Sequence, residues 1–364
     1  MCRLSQSFNA SENYNYSHSC TNNPRCICHI RRLYHDVLKK SMNLKDRTNF
    51  VLYLTKIYNA YIKKIQNIIK INRKIMRFYQ EDKKMSKEFP ITISSWTLGD
   101  QCKFEDRVIA AKNAGYEGIG LRAETYVDAL NEGLFDKDIL AILDKHGMKV
   151  TEVEYIVQWA EEHRSYEQKY KEQLCFHMCE LFDVKQINCG LMENYSVEYT
   201  AQKLRELCQR AGKYIIGVEP MPYSGIPDMK KGWAVVKAAD CENAKLIMDT
   251  WHWVRANQPV DLSVIEDIPA DKIVSIQIND VWERPYATTI LRDESMHDRL
   301  APGTGIGCTA AFVKMVKEKG IKPNAIGVEV ISDAILAKGL KYAANHTYEN
   351  TKKVLEEAWP EVLQ

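Results

Sequence analysis

The sequence predicts an α/β fold, a single (β/α)8 TIM barrel, for residues 85–364. Two observations predict it. Eight short runs rich in Val and Ile alternate with helical patterns over about 280 residues, and several helical patterns end at a glycine just before the next run. A glycine at that position is a common C-terminal stop of a helix. Eight strands alternating with helices match a closed parallel barrel better than the competing doubly wound sheet.

The eight predicted strands are short, and each is followed by a loop or a helical pattern. In chain order they cover residues 91–95, 116–121, 149–154, 184–189, 214–219, 244–249, 272–279 and 325–330. The glycines that stop helical patterns are Gly115, Gly147, Gly212 and Gly320. The longest connection, from Asp280 to about Asn324, lies between the last two strands. Loops of that length inside a compact domain are usually functional, so we interpret it as a lid or substrate loop.

Residues 1–84 differ in composition from the remainder. They contain 17 Lys and Arg against 5 Asp and Glu, whereas the rest of the chain has 33 and 43. One interpretation is a basic arm for nucleic acid or a membrane surface. We favour the other, an N-terminal extension unrelated to the barrel, disordered or non-native, that precedes a start at Met85. No apolar segment typical of a signal peptide follows Met1.

The cysteines do not form the pattern of a disulfide framework. Seven of the eleven lie at scattered, mostly apolar positions of the predicted barrel, which is typical of reduced thiols in a cytoplasmic protein. Four residues of the extension could be drawn as a zinc cluster, but no second Cys/His pair follows at finger spacing. Those four residues are Cys20, Cys26, Cys28 and His29.

Four polar residues lie at or near the ends of the last four predicted strands. Glu219 closes YIIGVE, Asp249 closes AKLIMD, Gln277 lies in IVSIQIND, and Glu329 follows AIGV. Burying such groups is costly unless something pairs with them, and barrel enzymes carry their chemistry at the C-terminal ends of the strands. Taken singly, each could be a capping or surface residue. Together they predict an oxygen-rich cradle for a divalent metal.

The segment MDTWHW and two strand ends supply further candidates. His252, three residues after Asp249, can ligate weakly, move a proton or hold a substrate hydroxyl. Trp251 and Trp253 flank it, and we expect Trp251 to stack on a substrate ring and Trp253 to pack in the core. Trp96 and Arg122 follow the first two strands, so we expect both at the pocket mouth.

Arg122 has two interpretations at that mouth. It suits a substrate phosphate or carboxylate, or it forms a salt bridge with Glu124 or Glu154.

The motifs GVEP, DTWH, QIND, DRLAPGTG and GVEV resemble those of the sugar phosphate isomerase/epimerase superfamily, which has xylose isomerase-like barrels. The resemblance covers 90–355 and leaves 1–84 unmatched. It implies one divalent metal bound by Glu219, Asp249 and Glu329, with Gln277 at a position that is often His in the family. An amide oxygen favours Mn²⁺, with Mg²⁺ or Co²⁺ as alternatives, over zinc.

The resemblance also implies a reaction. The metal polarises a sugar carbonyl, and a flanking glutamate removes the proton alpha to it, so Glu219 and Glu329 are acid/base candidates as well as ligands. His297 and Arg299, within ESMHDR, resemble a substrate-contacting stretch of the family.

The segments EPMPYSGIPD, DTWHW and RDESMHDRLAPGTG are similar to the catalytic α subunit of bacterial C-glycoside deglycosidases. These enzymes act on 3-oxo-glucosides of aromatic aglycones such as flavonoids, together with a small β subunit. The similarity implies a carbon–carbon lyase: the C3 carbonyl acidifies the C2 proton, the enolate expels the aglycone from C1, and His252 or His297 protonates the leaving group. Oxidation at C3 would come from another enzyme, because the sequence has no dinucleotide fingerprint.

Three alternatives stay open. The same enediolate chemistry would serve a sugar or keto-inositol isomerase or epimerase. An endonuclease IV-like barrel would need more His, and only nine occur, three of them in the extension. A metal-free binding barrel remains because Gln277 departs from the family pattern. We expect a small glycoside or sugar as the substrate, and neither nucleic acid nor a membrane as a partner.

Overall fold

A computed structural model describes residues 89–284 and 290–364. Within them, eight parallel strands close into a barrel in chain order, so the predicted (β/α)8 fold is confirmed and the doubly wound alternative is wrong. The strands are β1 Ile91–Ser94, β2 Gly118–Arg122, β3 Lys149–Ile156, β4 Gln186–Cys189, β5 Ile215–Val218, β6 Ala244–Asp249, β7 Ile273–Ile278 and β8 Ile326–Val328.

Helices cover the outside of the barrel and occupy the longer loops. They are α1 Phe104–Ala114, α2 Ala123–Asn131, α3 Asp136–His146, α4 Tyr166–Phe182, α5 Val197–Ala211, α6 Met229–Ala239, α7 Thr250–Arg255, α8 Leu291–His297, α9 Thr309–Glu318, α10 Asp333–Leu336 and α11 Leu340–Ala358. Short 3₁₀ turns lie at Ser95–Leu98, Leu262–Val264, Ala270–Lys272 and Pro360–Leu363. The predicted extension 1–84 lies outside the described residues.

Polar side chains line part of the barrel interior, and the strand sequences explain why. On β4 and β7, polar and apolar residues alternate, so that one set faces inward and the other packs under the helices. Ile187, Ile276 and Ile278 belong to the apolar core. The inward set hydrogen-bonds across the barrel, as when Gln186 Nε2 donates to Ser275 Oγ at 2.9 Å.

The connection between β7 and β8 contains two elements that the sequence pattern did not predict. Helix α8 lies within it, and Asp280 and Leu300 form an antiparallel bridge. The bridge returns the chain to the end of β7, so Arg299 lies directly beside the strand ends. Within the described ranges, no helix is long and apolar enough to span a membrane.

Gly225, in the loop between β5 and α6, allows a close approach of two loops over the barrel. Its N–H donates to Leu191 O at 2.7 Å, and a Cβ there would lie 1.8 Å from the backbone oxygen of Glu193. We predict that Gly225→Ala lowers the free energy of unfolding by about 3 kcal/mol, because the backbone must move. Denaturant unfolding measures this loss.

The control is Gly320→Ala. Gly320 has a positive φ, +74°, which Gly225 does not, but an added Cβ at Gly320 meets no atom within 4 Å. Gly320→Ala should therefore lower the free energy of unfolding by only about 1 kcal/mol, through conformational strain. Equal losses for the two variants would contradict the steric explanation.

Candidate functional site

Three buried carboxylates meet at the C-terminal ends of the strands. Glu219 directly follows β5, Asp249 ends β6, and Glu329 directly follows β8. Ligand oxygens of the three lie within 4.8 Å of one another. Like charges this close in a low-dielectric setting repel strongly, so the cluster requires a cation or a shared proton.

Arg299 supplies positive charge to this cluster. Its Nη1 donates to Asp249 Oδ2 at 3.1 Å and to Glu329 Oε2 at 2.9 Å. Its Nε and Nη2 donate to the carbonyl and hydroxyl oxygens of Ser295 at 2.8 and 2.9 Å. The residue predicted to contact substrate therefore lies buried among the carboxylates.

Burial and the charge of Arg299 shift the pKa values of the acids in opposite directions. Burial raises the pKa of Glu219 and of Asp249, and the nearby guanidinium opposes that rise. Burial by itself would lower the pKa of Arg299, but Asp249 and Glu329 raise it above its ordinary value. The guanidinium is therefore charged throughout the accessible pH range.

His252 lies beside the cluster as a neutral ring. Its backbone N–H donates to Asp249 Oδ1 at 2.9 Å, an N-cap of α7 that also holds the carboxylate in place. Its Nε2 lies 3.3 Å from Glu219 Oε1. Burial lowers the pKa of His252 to about 4, so this contact is not an ion pair at neutral pH.

The nitrogen and the oxygen of the Gln277 side-chain amide have different surroundings. Gln277 pairs in register with Asp249 on the neighbouring strand. Its Nε2 donates to Glu154 Oε1 at 3.1 Å, whereas its Oε1 is buried without a hydrogen-bond partner among the described residues. Glu219 Oε1 is likewise buried without a hydrogen bond there. Carboxylate and amide oxygens left free in this way fit a hard divalent cation.

Arg122 and Trp96, which were both expected at the pocket mouth, lie against each other. The Arg122 guanidinium carbon is 3.4 Å from the centroid of the Trp96 ring, a stacked cation–π contact. Arg122 Nε is 3.6 Å from Glu124 Oε2, so the predicted Glu124 pairing forms. The Tyr155 ring also faces this guanidinium, at 5.4 Å.

Two predicted site residues have other surroundings. Trp251 was expected to contact a ligand, but its exposed fraction is 0% and it packs behind Arg299, whose Cζ is 5.7 Å from the ring. The side chain of His297 is 56% exposed, and its Nδ1 lies 3.2 Å from Asp333 Oδ2. His297 is the last residue of α8, and it is exposed to solvent, whereas the three carboxylates are buried.

Sequence reasoning did not assign the acids of β3 to the site, and it named Glu154 only as an alternative partner of Arg122. Glu152 and Glu154 are both buried, and Asn188 Nδ2 donates to Glu152 Oε2 at 2.8 Å and to Glu154 Oε1 at 2.9 Å. Burial raises the pKa of Glu152 to about 7 and that of Glu154 well above its ordinary range. The signal was available, because the two glutamates stand two residues apart in TEVEYI and so share one strand face.

A buried ion pair fastens α8 beside the site. Arg255 Nε donates to Glu294 Oε1 at 3.0 Å, and Arg255 Nη2 donates to the Trp282 carbonyl at 2.9 Å. Glu294 is fully buried. Because Ser295 is the next residue and holds Arg299, this pair sets the position of Arg299.

Comparisons with known proteins define the family. Residues 108–357 match the family described as xylose isomerase-like TIM barrel. That match covers more than half of the chain, so the protein belongs to this family. The superfamily resemblance read from the motifs is confirmed, and the finer resemblance to C-glycoside deglycosidases stays a prediction.

Curated relatives match over part of the chain. Over 140 residues it is 29% identical to the 3-dehydroshikimate dehydratase of Pseudomonas aeruginosa, covering 38% of this chain and 21% of that one. The Pseudomonas putida enzyme of the same name is 29% identical over 137 residues, 37% of this chain and 21% of that one. The chain thus spans about a fifth of the length of these relatives.

Solved structures share the fold. A zinc-bound IOLI protein superposes with a TM-score of 0.64 at 15% identity, covering 74% of this chain and 99% of that one. The probable 3-DHS dehydratase AsbF from Bacillus anthracis gives 0.56 at 13%, with coverages of 71% and 97%. D-psicose 3-epimerase from Clostridium cellulolyticum H10 gives 0.55 at 13%, with coverages of 73% and 99%. Likeness at this identity shows the fold alone.

The buried Arg255–Glu294 pair yields a test of how α8 is held. We predict that Glu294→Gln lowers the free energy of unfolding by about 3 kcal/mol, since Arg255 would keep its charge in a partly buried position without a charged partner. The matched control is Glu361→Gln, which breaks the exposed pair with Lys317 and should change stability by less than about 1 kcal/mol. Denaturant unfolding compares them, and equal effects would exclude a structural role for the buried pair.

Proposed function

We propose that this protein is a divalent-metal-dependent lyase that eliminates a group from the carbon beta to a sugar ketone. The observation that carries the proposal is the buried cluster of Glu219, Asp249 and Glu329. Gln277, in register with Asp249 on the neighbouring strand, adds a buried Oε1 that has no hydrogen-bond partner among the described residues. These four residues would hold the ion, for which we favour Mn²⁺, with Mg²⁺ or Co²⁺ as alternatives. When bound, the ion supplies electrophilic polarisation of the ketone.

The residues around the cluster suit removal of an alpha proton. Glu219 has a free, buried oxygen next to neutral His252, whereas Glu329 accepts from Arg299. We therefore assign Glu219 as the first candidate base and Glu329 as the second. Arg299, held by Ser295, places fixed positive charge where the enolate develops.

The substrate we propose is a 3-oxo-glucoside with an aromatic aglycone joined through carbon. A glutamate takes the C2 proton, the C1=C2 bond forms, and the C1–aryl bond breaks. The electron pair of that bond leaves with the aglycone, whose carbon takes a proton. His252 is the nearer of the two predicted donors, because His297 contacts Asp333 at the surface. Trp96 and Arg122 would contact the sugar or aglycone at the pocket mouth.

The curated relatives support elimination as the reaction class. Their name, 3-dehydroshikimate dehydratase, describes the loss of water, which is also a lyase reaction. An isomerase or epimerase acting on a sugar or keto-inositol is the alternative, in which the same enediolate is reprotonated and nothing leaves.

We also propose where the protein acts and with which partner. All seven cysteines of the described residues are free, which supports the cytoplasm as the location. We propose a small β subunit as the protein partner, and neither nucleic acid nor a membrane.

Aglycone release tests this function. The full chain with Mn²⁺ is incubated in parallel with an aromatic 3-oxo-C-glucoside, free ketoses, and 3-dehydroshikimate, with chromatographic detection of products. We expect aglycone from the first substrate, with EDTA removing the activity. Epimer formation from ketoses alone would establish the alternative, and dehydration of 3-dehydroshikimate alone would assign the lyase to a different substrate. If the β subunit is required, adding it restores aglycone release.

Glu219→Gln tests the base on whichever substrate turns over. We predict a loss of kcat of about 10³-fold, because the amide cannot accept the alpha proton. The control is Glu361→Gln, an exposed position that pairs with Lys317 and not with any residue of the carboxylate cluster, which should keep wild-type kcat. Solvent deuterium exchange at the alpha carbon measures the proton step directly, and exchange at the wild-type rate in Glu219→Gln would assign the base to another residue.

A further inference from the structure

The amide of Gln277 is held from behind by an acid that the proposed reaction does not use. Gln277 Nε2 donates to Glu154 Oε1 at 3.1 Å, from β7 to β3 across the barrel. The other end of the amide, Oε1, is buried without a hydrogen-bond partner in the described ranges. One end is therefore fixed and the other is free to bind a ligand.

Glu154 is itself fixed by neighbours. Asn188 Nδ2 donates to the same Oε1 at 2.9 Å, and Ser94 Oγ lies 3.5 Å from Oε2. Because Glu154 Oε1 already accepts from Asn188, a reversed Gln277 amide would place its oxygen against another acceptor. Glu154 therefore determines which end of the Gln277 amide is left free.

We propose that Glu154 is a positioning residue that makes Gln277 a metal ligand, by accepting from Nε2 and leaving Oε1 for the ion. The inference rests on the metal site of the proposed function. A carboxylate behind a metal ligand fixes the ligand's orientation and increases its donor strength, and loss of such a group typically weakens metal binding about 10–100-fold.

Glu152 provides a matched control. It lies two residues away on the same strand, is equally buried, and accepts from Asn188 and from Gln186 at 2.8 and 3.2 Å. No hydrogen bond joins it to Gln277 within the part of the chain that the structure describes. If the buried acids of β3 had only a structural role, replacing either glutamate would change the Mn²⁺ affinity to a similar extent.

The experiment measures Mn²⁺ affinity of the full chain by calorimetry, with Mn²⁺ alone as the ligand and circular dichroism to check folding. We expect Glu154→Met to weaken binding about 10–100-fold and Glu152→Met to change it by less than about threefold. Glu154→Gln should restore near wild-type affinity, because its amide oxygen can accept from Gln277 while its nitrogen faces Ser94.

A double-mutant cycle then tests whether the effect passes through Gln277. In the presence of Gln277→Ala, Glu154→Met should cause no further loss of affinity. Additive losses, or equal losses for Glu154→Met and Glu152→Met, would overturn the inference. Absence of Mn²⁺ binding by the wild type would instead overturn the metal site of the proposed function.

A reversed pair keeps the inference testable if Glu154→Met does not fold. Gln277→Glu alone places two carboxylates in contact, and we expect weaker Mn²⁺ binding despite the added negative charge. Adding Glu154→Gln should recover affinity, since the new amide can turn its nitrogen to the new carboxylate and its oxygen to the Ser94 hydroxyl, while Asn188 keeps Glu152 as an acceptor. If the second change gives no recovery, the positioning role is wrong.

Discussion

The site depends on the neutralisation of three carboxylates that the barrel buries together. Glu219, Asp249 and Glu329 have ligand oxygens within 4.8 Å of one another, away from solvent. Between buried charges at that spacing, Coulomb repulsion is far stronger than between the same charges in water. Arg299 offsets part of it, with Nη1 bonded to two of the three acids. Ser295 of α8 and the Asp280–Leu300 bridge next to Arg299 hold that guanidinium in place.

Asp249 shows how the backbone contributes to this charge balance. It accepts from Arg299, from Asn279 Nδ2 at 2.6 Å and from the backbone N–H of His252 at 2.9 Å. Asp249 is both the last residue of β6 and the N-cap residue of α7, so one side chain stabilises the junction between the strand and the helix. Fixed donors around an anion hold it without reorganisation, which is the condition that metal binding and electrostatic catalysis both need.

The sequence was sufficient for the barrel and for the strand-end cluster, because both follow from periodicity and chain order. It was insufficient wherever a side chain's direction depended on tertiary packing. Trp251 was predicted to stack on a substrate ring, but it packs against the guanidinium of Arg299. His297 was predicted as catalytic, and it lies exposed at the end of α8, beside Asp333. Glu154 was considered only as a partner for Arg122, because a strand pattern does not show which acid lies opposite which amide across a barrel.

Gln277 connects these observations. A neutral amide has a donor end and an acceptor end, so it can satisfy the Glu154 carboxylate behind it while offering an oxygen in front. A further carboxylate at this position would add a fourth negative charge to a cluster that Arg299 only partly balances. An imidazole would add a nitrogen ligand, which zinc accepts readily. With Gln277, the four donor residues offer oxygen alone, and we infer that this composition favours a hard cation such as Mn²⁺ or Mg²⁺.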